Sequence, residues 1–202
     1  MTVGDLEAAL PVRVALPDAV LRRIAVHEAG HAVAAFGLGM AIESAEIERE
    51  IGFEDGLISL GGVRLAVSAF QIVTARTLLD QICFFLAGLA AENHVLGDRS
   101  AGGAGANGTD LHVATQLALR LEDSGLGQGL TSTGEAGDLL LLNASERTRD
   151  RVETILAEQM RRAKELVERN IAAVEAIAGE LQSRGRLAGR EVESLLKRTP
   201  AP

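Results

Sequence analysis

Ile24-Ala25-Val26-His27-Glu28-Ala29-Gly30-His31-Ala32-Val33-Ala34-Ala35-Phe36 is the stretch on which the reading turns. A helix advances 100° per residue, so His27 and His31 stand one turn apart on nearly the same face. Two imidazoles so placed can converge on one ion at about 2.0–2.1 Å. Neutral imidazole suits zinc, a borderline-soft cation. Glu28 sits beside the first histidine, free to act as a general base on a water molecule. Gly30 costs a helix about 1 kcal/mol against alanine, which predicts that another backbone passes close to it. The alternative is a chance match on a solvated helix. Against it, half of the four histidines fall in this pentapeptide and its flanks are apolar. A buried histidine pair needs a partner.

Working outward, Pro17-Asp18 opens the helical pattern, and Gly37 and Gly39 mark its end. Residues 42–65 space Ile42, Ile47, Ile51, Leu57, Ile58, Leu60, Val63 and Leu65 with polar residues and glycine, which predicts short strands with a turn or bulge at Gly61-Gly62. A long apolar helix follows over about residues 70–96, closed by Gly97. Residues 97–108 are the most glycine-rich stretch and read as a loop. It carries no lysine and is not a phosphate cradle. Thr109-Asp110 starts another helix, reaching about Glu122, and residues 123–142 read as loop. Asn143 with Glu146 resembles a capping box. The three-to-four spacing from Val152 through Ile155, Met160, Val167, Val174 and Leu181 predicts one long amphipathic helix to about Arg184, with a short helix at 188–198. The expected fold class is mainly α, with a small β element near residues 45–65. The expected organisation is a lead-in at 1–17, a core at 18–142 and a C-terminal helical part at 143–202 packed on that core.

Composition narrows the function. The 202 residues are 47% hydrophobic but only 2% aromatic, so the core must be built from Ala, Leu, Ile and Val. The net charge of −8 with scattered Lys and Arg argues against nucleic acid as a partner. The longest unbroken apolar run, Ile82–Ala91, reads as a buried helix rather than a membrane segment. The N-terminal residues lack the basic start and apolar stretch of a signal peptide. The lone Cys83 lies in an apolar run as a core residue and fits a reducing compartment. A cytoplasmic location is the expectation.

Two histidines leave a catalytic zinc site one protein ligand short. A third histidine six residues after His31 would complete a local pattern, but that position is Gly37. The ligand must come from elsewhere, and Asp110, Glu92, His94 and His112 are the candidates. Asp110 follows the glycine-rich loop and opens a helix, where plain N-terminal capping is its other reading. Glu92 lies late in the apolar helix, where an unpaired carboxylate is costly.

Three separated segments resemble one family. Arg23–Ala32 is similar to the zinc helix of FtsH-type ATP-dependent zinc proteases, peptidase family M41. Leu86-Ala87-Gly88-Leu89-Ala90-Ala91-Glu92-Asn93 resembles that family's L-x-G-R-A-A-E-E pattern, with Leu89 in the place of Arg and Asn93 in the place of the second Glu. Gly105-Ala106-Asn107-Gly108-Thr109-Asp110-Leu111, followed by Ala114-Thr115, resembles its G-A-x-x-D-L-x-x-A-T stretch with one residue more before the aspartate. The resemblance spans about residues 18–196. It implies an FtsH-like peptidase domain with one Zn2+ per chain, held by His27, His31 and Asp110, and with Glu28 as catalytic base. It further implies Glu92 as a group orienting a ligand imidazole. The segment Gly56, Leu57, Ile58, Ser59 and Leu60 becomes an edge on which an extended polypeptide substrate can pair. Family members form hexameric rings, so a homo-oligomer, a hexamer included, or association with an ATPase-bearing relative is implied. No G-x-x-x-x-G-K-[ST] loop occurs in these residues. The expectation is therefore a zinc metalloendopeptidase without its own ATPase, either a stand-alone relative or a piece of a larger enzyme. The alternative is a non-catalytic interaction module of the same fold that regulates a full-length protease.

Overall fold

A computed structural model describes residues 13–52, 60–66, 72–100, 108–127 and 145–199. Its elements run β1 (Arg13–Ala15), α1 (Asp18–Gly37), β2 (Ile42–Ile47), β3 (Glu50–Gly52), β4 (Gly61–Leu65), α2 (Ala75–Leu96), α3 (Asp110–Asp123), α4 (Glu146–Arg169), α5 (Ile171–Arg184), β5 (Arg186–Ala188) and α6 (Gly189–Arg198). The mainly α expectation holds. The β content extends beyond the expected region, because β5 joins the sheet from the far end of the chain. Its strand order is β4-β2-β5, and β1 pairs separately with β3, all antiparallel.

The helix carrying His27 and His31 is central. From Leu21 to Ala35 α1 is buried on nearly every side, and α2, α5 and β2 pack around it. Alanine makes this possible. Ala25, Ala29, Ala32, Ala34 and Ala35 on α1, and Ala87 and Ala91 on α2, are fully buried. Short side chains let the two helix backbones come close. At Gly30 the approach is closest, since a Cβ there would lie 2.5 Å from the carbonyl oxygen of Ala87 and 2.6 Å from Cβ of Ala91. The glycine expected to meet another backbone does so.

Local signals explain most boundaries. Thr74 caps α2 in a reciprocal pair with Thr77, so the helix starts later than the expected residue 70. Gly97 ends it with φ 83°. Asn143 lies outside the described residues. Ser145 caps α4, accepting from the Thr148 N–H at 3.2 Å. The long helix expected to reach Arg184 is instead two. The Asn170 side-chain amide donates to the Leu166 carbonyl at 2.8 Å, taking the acceptor that its own backbone would use in a continuous helix. Its backbone N–H turns to Val167 instead. Gly61-Gly62 is not a turn or bulge. Both residues lie in β4, opposite Ile47 and Glu46, and the register irregularity falls between Ile42 and Ser44. Cys83 is buried and unbridged. No helix among the described residues is long and apolar enough to cross a membrane.

Candidate metal centre

Packing α1 against α2 brings the two histidines to the carbonyl end of one α2 turn and to the carboxylate of another. His31 Nδ1 lies 2.8 Å from the Phe84 carbonyl oxygen. A carbonyl can only accept, so Nδ1 carries the proton and Nε2 faces the other way. His27 Nδ1 donates to Glu92 Oε1 at 2.6 Å. Both Nε2 atoms then meet Asp110, the first residue of α3. His27 Nε2 is 2.6 Å and His31 Nε2 3.2 Å from Asp110 Oδ2, and the two Nε2 atoms are 3.0 Å apart.

His27, His31 and Asp110 thus offer two nitrogens and one oxygen converging on a point, the only group of this kind among the described residues. The donor chemistry fits zinc. Tetrahedral bonds of about 2.0–2.1 Å need donors about 3.3 Å apart. The three donors here stand 2.6–3.2 Å apart. The other three candidates for third ligand lie outside this group. His94, in the last turn of α2, lies 3.8 Å from Glu168. His112 is on α3 outside the group. Glu92 touches His27 on the side away from Asp110.

Glu28 is 6% exposed, and its Oε2 is buried without a hydrogen-bond partner among the described residues. A Cβ at Gly61 would stand 2.7 Å from Glu28 Oε1, so only glycine lets β4 run this close to the carboxylate. Of the expected edge residues, Gly56, Leu57, Ile58 and Ser59 lie outside the described residues. Leu60 is half-buried, and its carbonyl accepts from the Glu48 N–H at 2.7 Å. The strand beside Glu28 is β4 itself, whose one strand neighbour among the described residues is β2.

Sequence reading missed three contributors: Arg23 and Ser100, which both donate to the Glu92 carboxylate, and the Phe84 carbonyl. For Arg23 a signal existed, since it precedes His27 by four residues and so shares its helix face. Nothing in the sequence marks a backbone carbonyl as a partner.

Electrostatics follow from burial and pairing. Burial pushes the Glu28 carboxyl up, opposed by the neighbouring histidines. Burial would pull His27 down, but its hydrogen bonds to Asp110 and Glu92 outweigh that and carry it up to about 10. Burial works to raise Asp110, yet the histidines hold it well below the usual carboxylate range. A raised histidine stabilises fully below its unfolded value and loses that contribution as pH rises through the folded value. The metal-free chain should therefore lose stability from about pH 6.5 to about 10. Zinc should reverse the trend, because its ligands must shed protons to bind. Melting temperatures across that window, with a chelator and with zinc, check both signs. A flat chelator profile would contradict the pairing.

Comparison with known proteins adds an independent line. The model of peptidase family M41 matches residues 15–195. Over 196 residues the chain is 34% identical to an ATP-dependent zinc metalloprotease FtsH 1 of Symbiobacterium thermophilum, covering 94% of this chain and 31% of that protein. An ATP-dependent zinc metalloprotease FtsH of Acidothermus cellulolyticus is 31% identical over 195 residues, covering 89% of this chain and 28% of its own length. One of the same name from Methylococcus capsulatus is 27% identical over 221 residues, covering 96% and 33%. The chain thus spans about a third of the length of these curated relatives.

Proposed function

The chain belongs to peptidase family M41, and from that premise we propose that it is a zinc-dependent endopeptidase acting on unfolded or flexible polypeptides. The observation that carries this is the convergence of His27, His31 and Asp110 beside a buried Glu28 oxygen that has no partner among the described residues. In this reading His27 Nε2, His31 Nε2 and Asp110 Oδ2 hold one Zn2+. Bound there, the ion supplies Lewis acidity, polarising a water molecule and the scissile carbonyl. Glu28 takes the proton of the attacking water and delivers it to the leaving amine. In the metal-free chain its burial raises its proton affinity above that of a solvated carboxylate. Phe84 and Glu92 hold the two imidazoles with Nδ1 protonated, leaving Nε2 for the ion.

The β4 edge supports the choice of substrate. An extended peptide can add to it by backbone pairing, and Gly61 brings that line next to Glu28. Pairing of this kind needs an extended segment whose backbone groups are not already hydrogen-bonded, which unfolded and flexible polypeptides offer along their length. The test is metal analysis with a casein assay. Purified protein is expected to carry about one zinc per chain, to cleave casein, to lose cleavage to a chelator and to regain it with zinc. Protein that binds no zinc, or cleavage indifferent to the chelator, overturns the reading.

A further inference from the structure

We infer that Arg23 is a positioning residue of the metal centre, acting through Glu92 on His27. The inference rests on the metal-site reading above. Glu92 is 1% exposed, and four donors saturate its two oxygens. Oε1 accepts from His27 Nδ1 at 2.6 Å and from the Ser100 hydroxyl at 3.0 Å. Oε2 accepts from an Arg23 guanidinium nitrogen at 2.8 Å and from the Ser100 N–H at 2.7 Å. The second guanidinium nitrogen donates to Asp98 Oδ1 at 2.6 Å, which fixes the fork from its solvent side.

The pairing is not what the helix of Glu92 provides by itself. One turn back on α2 stands Leu89, apolar and buried, so the cation arrives from α1. Arg23 and His27 are one turn apart on that helix and grip opposite oxygens of the same carboxylate. A buried carboxylate without a paired cation is costly and turns toward whatever donor it can find. With Arg23 on Oε2, Oε1 stays aimed at His27 Nδ1. The imidazole is then held in the tautomer and orientation that direct Nε2 at Asp110. Gly97, in the left-handed conformation, turns the chain back so that Asp98 and Ser100 reach the same cluster.

The test is zinc affinity by competition with a chromogenic chelator, for the wild type, Arg23→Met, Arg23→Lys, Glu92→Gln and Arg23→Met/Glu92→Gln. Arg23→Met is expected to weaken zinc binding by about 10-fold or more, in the range known for groups that orient metal ligands. Arg23→Lys, which keeps the charge without the fork, is expected to recover most of the loss. On the Glu92→Gln background, Arg23→Met is expected to cost little, since its route to His27 is already uncharged. Should Arg23→Met not fold, Arg23→Gln, which keeps a donor for Oε2 without the charge, takes its place on both the wild-type and the Glu92→Gln backgrounds. Wild-type affinity in Arg23→Met, or losses that add in the double variant, overturns the inference and leaves the metal centre standing. A wild-type chain that binds no zinc overturns the metal centre and the role of Arg23 with it.

Discussion

Glu28→Gln is expected to lower kcat by about 10²–10⁴-fold, the usual worth of a positioned general base, while zinc content stays at the wild-type value. Glu28 is not among the three converging donors, so its exchange leaves the ligand set whole. Gln has the same volume, so the buried space next to Gly61 stays filled. What changes is the ability to accept a proton. The stability outcome separates a catalytic from a structural role. Burial raises the Glu28 carboxyl, and a raised carboxylate is a liability that grows with pH above its unfolded value. Removing the charge should leave metal-free Glu28→Gln at least as stable as the wild type at neutral pH. A structural glutamate would show the opposite pattern, with stability lost along with activity. Casein cleavage, zinc content and chelated melting temperature, measured on one preparation, decide it. Wild-type turnover in Glu28→Gln would refute the assignment of the base.

The helix carrying His27 and His31 is legible in the sequence because its information is local. The His27–His31 spacing, the apolar flanks and the glycine pair at 37 and 39 all act within a few turns of one helix. Asp110 was harder to read. It lies 79 residues beyond His31, and four residues of suitable chemistry competed for its place. Only the packing of α3 onto α2 separates it from His112, two positions away. Arg23 shows the same limit at shorter range. Its face on α1 was legible, but the carboxylate it meets sits on another helix. Likewise β5 is three residues long, too short for an alternating pattern, and is defined by its register with Ser44, Ala45 and Glu46. At Asn170 the hydrophobic spacing continues through the break, because apolar periodicity reports which side faces the core rather than whether the backbone is continuous. The helix ends there through one side-chain hydrogen bond that the pattern does not encode.

Gly30→Ala tests whether the site depends on how closely α1 and α2 approach, and here two effects of known size oppose each other. Helix propensity alone favours alanine by about 1 kcal/mol. Against it, the new methyl would meet the Ala87 carbonyl at 2.5 Å and the Ala91 Cβ at 2.6 Å. Neither partner can yield by changing rotamer, since one is backbone and the other a single carbon fixed to it. The helices must move apart, and overpacking of this kind costs about 1–3 kcal/mol and sometimes more. A net loss of about 1 kcal/mol or more is therefore expected by urea denaturation. The site should feel it as well. Phe84 and Glu92, which hold His31 and His27, lie on α2 on either side of the contact, so separation loosens both imidazoles and zinc affinity falls in step. Gly179→Ala on α5 supplies the control, because a Cβ there meets nothing within 4 Å among the described residues. That variant should gain up to about 1 kcal/mol from propensity with zinc affinity unchanged. If Gly30→Ala gains stability as Gly179→Ala does, the backbone contact is not limiting and the geometry of the centre must be set elsewhere.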